Sequence, residues 1–305
     1  HLLDFFTGST RMLRDRVARA LPAWQPGMPG YHAVLAMHAF GLEENGQYAA
    51  AEEAGRRAVE LQPRDSWAWH AVAHVMEMND RRRDGIAWLG GHRAQWSEGS
   101  FLAVHNWWHL ALFHLGLDET DEVLALLDER IVGPGSMVAV DLVDGSALLW
   151  RLMLRGVDVG DRWQVLAERW LPQTADSHYA FNDMHAMMAL AAAGRDDDAE
   201  RLVQAQAALL ESAGGGGGGG SAGDDVHFLG AVGHDATLAM RDFVRGRHGD
   251  AVDRLRRVRN GAAAFGGSHA QRDLIDLTLI EAAARDGRAA LADALRAERV
   301  RVRVH

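Results

Sequence analysis

Two neighbouring segments of this chain carry the same pattern, a helix, a tight turn and a second helix, repeated at an interval of about 34 residues. In the first segment, YHAVLAMHAFGLEENGQYAAAEEAGRRAVELQPRD, apolar residues recur every three or four positions on both sides of a turn at Gly46, and Pro63 ends the second helix. The same shift places Gly46 on Asp80 in SWAWHAVAHVMEMNDRRRDGIAWL. The repetition predicts an all-α chain that grows by stacking helix pairs.

The small residues of the first segment lie where the paired helices of a tetratricopeptide repeat approach each other closely, at Ala39, Ala51 and Ala58. Further turns with a small or apolar residue five places on extend the pattern along the chain. The sequence therefore predicts an α-solenoid that forms a single superhelical domain over residues 1–305, with a flexible Gly-rich insertion at 212–225. About seven degenerate helical pairs are expected, beginning near residues 32, 66, 107, 147, 180, 232 and 273.

The composition excludes several classes of protein. A formal net charge of −10 argues against nucleic acid as a partner, because binding to a phosphate backbone depends on clustered Lys and Arg. The absence of cysteine excludes disulfides, thiolate zinc sites and cysteine nucleophiles. No apolar run reaches the length of a membrane span, about 18 residues. These features predict a cytoplasmic protein with no membrane partner, and they leave a homo-oligomer open.

Several longer strings resemble the bacterial relatives of the tetratricopeptide repeat protein 38 family. The resemblance runs from about Tyr31 to Arg299, and the two strings that the general repeat does not require are VHNWWHLALFH and GGSHAQRD. It implies an α-solenoid of degenerate repeats and names no reaction. The other strings are HAFGLEENGQY, WAWHAVAHVMEM, LLWRLMLRGVDVGDRW and YAFNDMHAMMALAAAGR.

Histidine is concentrated on one class of helix. Of the 16 histidines, most lie on or just before the first helix of a predicted pair, and the second helices keep only His92. First helices line the concave surface in repeats of this kind, so the sequence predicts a His-rich cavity. The histidines assigned to first helices are His32, His38, His70, His74, His105, His109, His114, His178, His185, His234 and His269.

The spacing of these residues selects the candidate site. His70, His74 and Glu77 stand at i, i+4 and i+7 and so share one face of a helix. Related sets occur on three further predicted helices, and two tryptophans fall near the start of the groove-facing stripe. The candidate cavity residues are His70, His74, Glu77, His105, His109, Asn182, Asp183, His185, His269, Asp273, Trp67 and Trp108.

Three interpretations of this set stay open. The pairs His70/His74 and His105/His109 are each a half-site for a divalent metal, which Glu77, Asp183 or Asp273 would complete, although His70-Ala-Val-Ala-His74 lacks the glutamate of the zincin motif. The same imidazoles and carboxylates suit general acid–base catalysis. The third interpretation is structural: buried polar side chains that bond to one another and stiffen the helix packing.

Two functions follow from these interpretations. The first is a tetratricopeptide-repeat protein that binds a small molecule or a peptide in its His-rich concave cavity. The alternative is an enzyme that uses the clustered His, Asp and Glu residues for acid–base or metal-assisted chemistry in a closed pocket. Peptide grooves of the wider repeat family favour Asn, Lys and Arg, so a cavity dominated by His strengthens the enzyme alternative.

Overall fold

A computed structural model describes residues 1–174, 177, 179–214 and 224–303, and all regular structure in these ranges is helical. The all-helical class is therefore confirmed for the described part of the chain. Short 3₁₀ or π turns continue several helices, at Leu21–Ala23, Leu127–Ile131, Leu171–Gln173, Leu229–Gly233 and Arg259–Phe265. The α-helices are α1 Leu2–Phe6, α2 Thr10–Ala20, α3 Tyr31–Glu43, α4 Tyr48–Leu61, α5 Ser66–Met78, α6 Arg82–Gly90, α7 Arg93–Trp96, α8 Ala103–Gly116, α9 Thr120–Leu126, α10 Ala139–Leu154, α11 Arg162–Trp170, α12 Ala180–Ala192, α13 Asp196–Gly214, α14 Asp224–Phe228, α15 His234–Val244, α16 His248–Val258, α17 His269–Arg285 and α18 Ala289–Arg303.

One left-handed turn recurs after α3, α5, α8, α10, α12, α15 and α17, and leads each time into the next helix. Its central residue has a positive φ, and the following N–H donates to the carbonyl oxygen five residues earlier, as Gln47 does to Leu42 at 2.9 Å. This bond satisfies a carbonyl at the helix end and reverses the chain. The positive-φ residues are Gly46, Asp80, Asp118, Gly156, Gly194, Gly246 and Gly287.

Several helix starts differ from the predicted ones. The helices expected near residues 107, 147 and 273 begin earlier, at Ala103, Ala139 and His269, whereas the one expected near 232 begins close to it, at His234. The prediction was wrong at the first two because it placed them 41 and 40 residues after the preceding start, whereas the turns at Asp118, Gly156 and Gly194 follow one another at intervals of 38. The earlier starts bring His105 and His269 into the helices α8 and α17.

Four second helices, α4, α6, α11 and α13, each pack against their own first helix and against the first helix of the next pair, as α4 does on α3 and α5. The small residues predicted for this contact, Ala39, Ala51 and Ala58, are fully buried. Two glycines also lie at close contacts: a Cβ on Gly55 would lie 2.6 Å from Val72 Cγ2, and one on Gly85 would lie 2.4 Å from the ring of Phe113.

The described residues form two compact units. The first contains His1–Pro134, the short segment Ser268–Ala270 and the last residues of the chain; the second contains Gly135–Gly267 and Gln271–Arg301. The single domain expected over 1–305 stays a prediction. Of the predicted insertion 212–225, residues 215–223 lie outside the described ranges, as does His178. Among the described helices, none combines the length and the apolar character needed to cross a membrane.

We expect Gly41→Ala to destabilise the protein by about 1–3 kcal/mol, the usual effect of overpacking. The new Cβ in α3 would lie 2.7 Å from Cα of Arg14 and 2.8 Å from the carbonyl oxygen of Leu13, and backbone atoms cannot rotate away. The matched control is Gly90→Ala in α6, where the nearest atoms are 3.9 Å and 4.0 Å away. Urea unfolding of both variants measures the difference, and equal stabilities would contradict the packing of α2 on α3.

Candidate metal centre

Two consecutive first helices of the first unit, α5 and α8, each carry a pair of histidines one turn apart. The start of α5 is set by Asp65, whose carboxylate accepts hydrogen bonds from the backbone N–H groups of Trp67 and Ala68 at 3.1 Å and 3.2 Å. This cap stabilises the first turn of α5, which precedes His70. Because i and i+4 lie on one face of a helix, each pair points in a single direction.

The two pairs meet where α5 packs against α8. The ring centroids of His70 and His74 are 4.4 Å apart, those of His105 and His109 are 4.9 Å apart, and across the helices His74 lies 4.4 Å from His109. One ring nitrogen from each of the four residues lies within 4.8 Å of the others. We call this group the four-His cluster.

The four-His cluster lies in the interior of the first unit. His74 and His109 are fully buried, His70 is 3% exposed, and His105 is half-buried. Burial, with a smaller contribution from the neighbouring His74 and His105, lowers the pKa of His70 well below its usual 6.5. His70 is therefore neutral at pH 7, the form in which an imidazole nitrogen can bind a metal ion.

Neither ring nitrogen of His70 makes a hydrogen bond to any group within the described ranges. A buried polar atom left in this state costs about 1–3 kcal/mol, and nearly all such atoms in folded proteins have a partner. An imidazole that bonded its neighbours to stiffen the packing would not show this pattern. A ligand held among the four rings would supply the missing interaction.

Aromatic side chains surround the cluster. Phe40 of α3 lies 5.3 Å from the ring of His70, Trp67 lies at the same distance on another side, and Trp108 stacks on His105 with 14° between the planes. The structure thus places the two tryptophans singled out in the sequence against the histidines. Their rings exclude water and lower the local dielectric, which strengthens the interaction between an ion and its ligands.

Two buried glutamates at the end of α3, Glu43 and Glu44, lie beside histidines of the first unit. Neither was among the candidates selected from the sequence. Glu43 Oε2 lies 3.6 Å from His74 Nδ1, and Glu44 Oε2 lies 3.6 Å from His269 Nδ1. A signal for Glu43 existed, because the repeat shift that maps Gly46 on Asp80 also maps Glu43 on Glu77. Glu77 is buried on α5, outside both groups of converging donor atoms found among the described residues.

The donor set suits a divalent transition metal. Imidazole nitrogen is a preferred ligand of Zn²⁺, Cu²⁺, Ni²⁺ and Fe²⁺, and the orphaned nitrogens of His70 fit such an ion. The residues that would hold it are those proposed from the sequence as metal candidates, His70, His74, His105 and His109.

The remaining candidates lie in the second unit and have protein partners. Asp183 accepts hydrogen bonds from Ser177 and, at 2.9 Å, from Gln206. Asp273 accepts two hydrogen bonds of 2.6 Å from Arg299. Asn182 is half-buried on α12. As ligands for the four-His cluster, Asp183 and Asp273 stay predictions.

His185, also on α12, is fully buried and donates a hydrogen bond from Nδ1 to the carbonyl oxygen of Phe181 at 2.8 Å. Burial lowers its pKa to about 4; the hydrogen bond to Phe181 opposes this shift, and the positive charge of Arg151 adds to it. The neutral ring therefore carries its free lone pair on Nε2.

Comparison with known proteins returned no assignment: no protein-family model matches the chain, and no solved structure gives a significant match.

The stability of the second unit is expected to fall between pH 6.5 and pH 4 because of His185. Its pKa is about 4 in the folded protein and about 6.5 when unfolded, so only the unfolded chain takes up a proton in this interval. The loss reaches about 3 kcal/mol at pH 4. Urea unfolding at pH 7 and pH 4 tests this against His185→Asn, which keeps a donor near Nδ1 and does not titrate. An equal pH dependence in both proteins would show that His185 is not the cause.

Proposed function

We propose that this chain is a tetratricopeptide-type helix-pair protein, related to the tetratricopeptide repeat protein 38 family, that binds a divalent transition-metal ion in the four-His cluster. The ion is the point at which a small-molecule ligand or substrate is held. The observation that carries the proposal is the convergence of four imidazoles in the interior, one of them with neither ring nitrogen hydrogen-bonded among the described residues.

Burial favours an ion or small molecule over a peptide. A peptide bound in an open groove needs exposed side chains to contact, whereas His74 and His109 are fully buried and Trp108 is as well. The helix pairing supports the repeat assignment independently, because the second helices α4, α6, α11 and α13 each pack between two first helices, and the small residues predicted for the first of these contacts are buried.

The pKa of His70 separates metal binding from simple acid–base catalysis. A general base works best when its pKa is near the operating pH, and that of His70 is shifted far below neutrality. An imidazole whose pKa is this low accepts a proton poorly, but its neutral ring can still bind a metal ion. If the protein is an enzyme, we infer metal-assisted chemistry, in which the ion polarises a substrate oxygen or activates water.

We expect purified protein to bind Zn²⁺ tightly and to be stabilised by it. An ion that binds only the folded state adds about 2.7 kcal/mol at a free concentration one hundred times Kd, and so raises Tm by several degrees. His70→Ala and His109→Ala should each remove most of this rise, measured by thermal unfolding with elemental analysis of the dialysed protein.

The matched control is His185→Asn, which removes another buried imidazole of similar size but lies in the second unit. It should lose stability and keep the full zinc-induced rise in Tm. The proposal fails if wild-type protein takes up no metal, or if His70→Ala keeps the same affinity as the wild type.

A further inference from the structure

We infer that a second metal site adjoins the four-His cluster and shares His74 with it. Its ligands are Glu43, Glu44 and Nδ1 of His74, with Nδ1 of His269 beside Glu44, and its chemistry suits a second divalent cation such as Zn²⁺ or Cu²⁺. The inference rests on the proposed function, because it makes His74 a bridge between two ions.

The residues of this second site converge as those of the first do. One donor atom from each of Glu43, Glu44 and His74 lies within 4.8 Å of the others, and all three residues are buried. His269 belongs to the short segment that packs with the first unit, where its backbone N–H donates to Glu44 Oε1 at 2.9 Å. That bond holds the Glu44 carboxylate in place beside the ring of His269.

The distances favour shared coordination over direct hydrogen bonding. Both imidazole–carboxylate contacts, His74 with Glu43 and His269 with Glu44, measure 3.6 Å. This separation is too long for a hydrogen bond, whose N···O distance is about 2.7–3.2 Å. Two atoms that bind one ion at about 2.0–2.2 Å lie roughly 3–4 Å apart, so 3.6 Å is an ordinary separation for two ligands of the same ion.

Charge also favours a cation here. Two carboxylates adjacent in sequence, with Glu43 fully buried and Glu44 nearly so, repel each other and lose the solvation of water. A divalent ion between them offsets both effects. It also explains why Glu43 and Glu44 are buried at a helix end, where charged residues ordinarily face solvent.

The shared residue determines how the ions are linked. With Nδ1 of His74 turned towards Glu43, Nε2 remains for the four-His cluster. An imidazole that binds metal through both nitrogens loses its ring N–H proton, which passes to solvent on binding. One proton is therefore released at His74 when both sites fill.

Exposure differs between the two sites and predicts which ion exchanges first. The side chain of His269 is 37% exposed, whereas those of Glu43, Glu44 and His74 are not exposed. The second site therefore has a path to solvent on the His269 side. A chelator should remove its ion before the one in the four-His cluster.

The test is the number of Zn²⁺ ions bound per chain by the full-length protein, measured by elemental analysis and by calorimetric titration of metal-free protein. We expect two ions in the wild type and one in the double variant Glu43→Gln/Glu44→Gln. The control Glu77→Gln removes a buried carboxylate of α5 that lies outside both groups of donor atoms, and it should keep two. One ion in the wild type, unchanged in the double variant, overturns the second site and leaves the proposed function standing; no ion overturns both.

A second measurement needs no variant and so does not depend on folding of the mutated chain. Wild-type protein loaded with two equivalents of Cu²⁺ should lose most of its electron paramagnetic resonance intensity, because the bridging His74 ring couples the two unpaired spins. With one equivalent the signal should be that of an isolated ion. A full, uncoupled signal at two equivalents overturns the bridge.

Discussion

Each first helix ends in the same left-handed turn, and the position of every functional side chain depends on it. The turn pairs a carbonyl at the helix end with the N–H five residues on, so it fixes both where the helix stops and how the chain reverses. Glycine adopts the required φ without strain, whereas Asp80 and Asp118 adopt it against the ordinary preference of an L residue. Since α5 and α8 both end in this way, the histidines that lie one turn apart on each helix have fixed positions relative to its end.

The histidines meet in the interior because their helices pack closely, and burial then determines their chemistry. Desolvation disfavours the charged imidazolium, so His70 is neutral at pH 7 with its lone pair available. The aromatic rings of Phe40, Trp67 and Trp108 keep the surroundings apolar. The close contact between the helices thus has two effects. It stabilises the packing, and by excluding water it keeps the imidazole of His70 neutral, so that a ring nitrogen can bind a metal ion.

Local residue spacing was sufficient to predict the features that depend on a single helix. The pairs His70/His74 and His105/His109 were identified from the i, i+4 rule alone, and the all-helical class from periodicity and composition. Glu43 and Glu44 were missed because they precede the turn at Gly46, where a pair of acidic residues ordinarily faces solvent. Their burial depends on contacts with α5 and with the segment around His269, which are distant in sequence. The helix starts were misplaced for a related reason, since connection length between pairs is not periodic.

The buried network around Gln206 in the second unit differs from the four-His cluster in how its polar groups are satisfied, and this difference supports different roles for the two groups. In the second unit Gln206 donates to Asp183 and Thr237 and accepts from His234, so these interior groups complete a hydrogen-bonded network. Such a network is sufficient to stabilise packing and implies no ligand. His70 in the first unit is as deeply buried but has neither nitrogen hydrogen-bonded to the described part of the protein. Both units contain buried histidines, and the hydrogen-bond partners of His70 favour the first unit as the site of function.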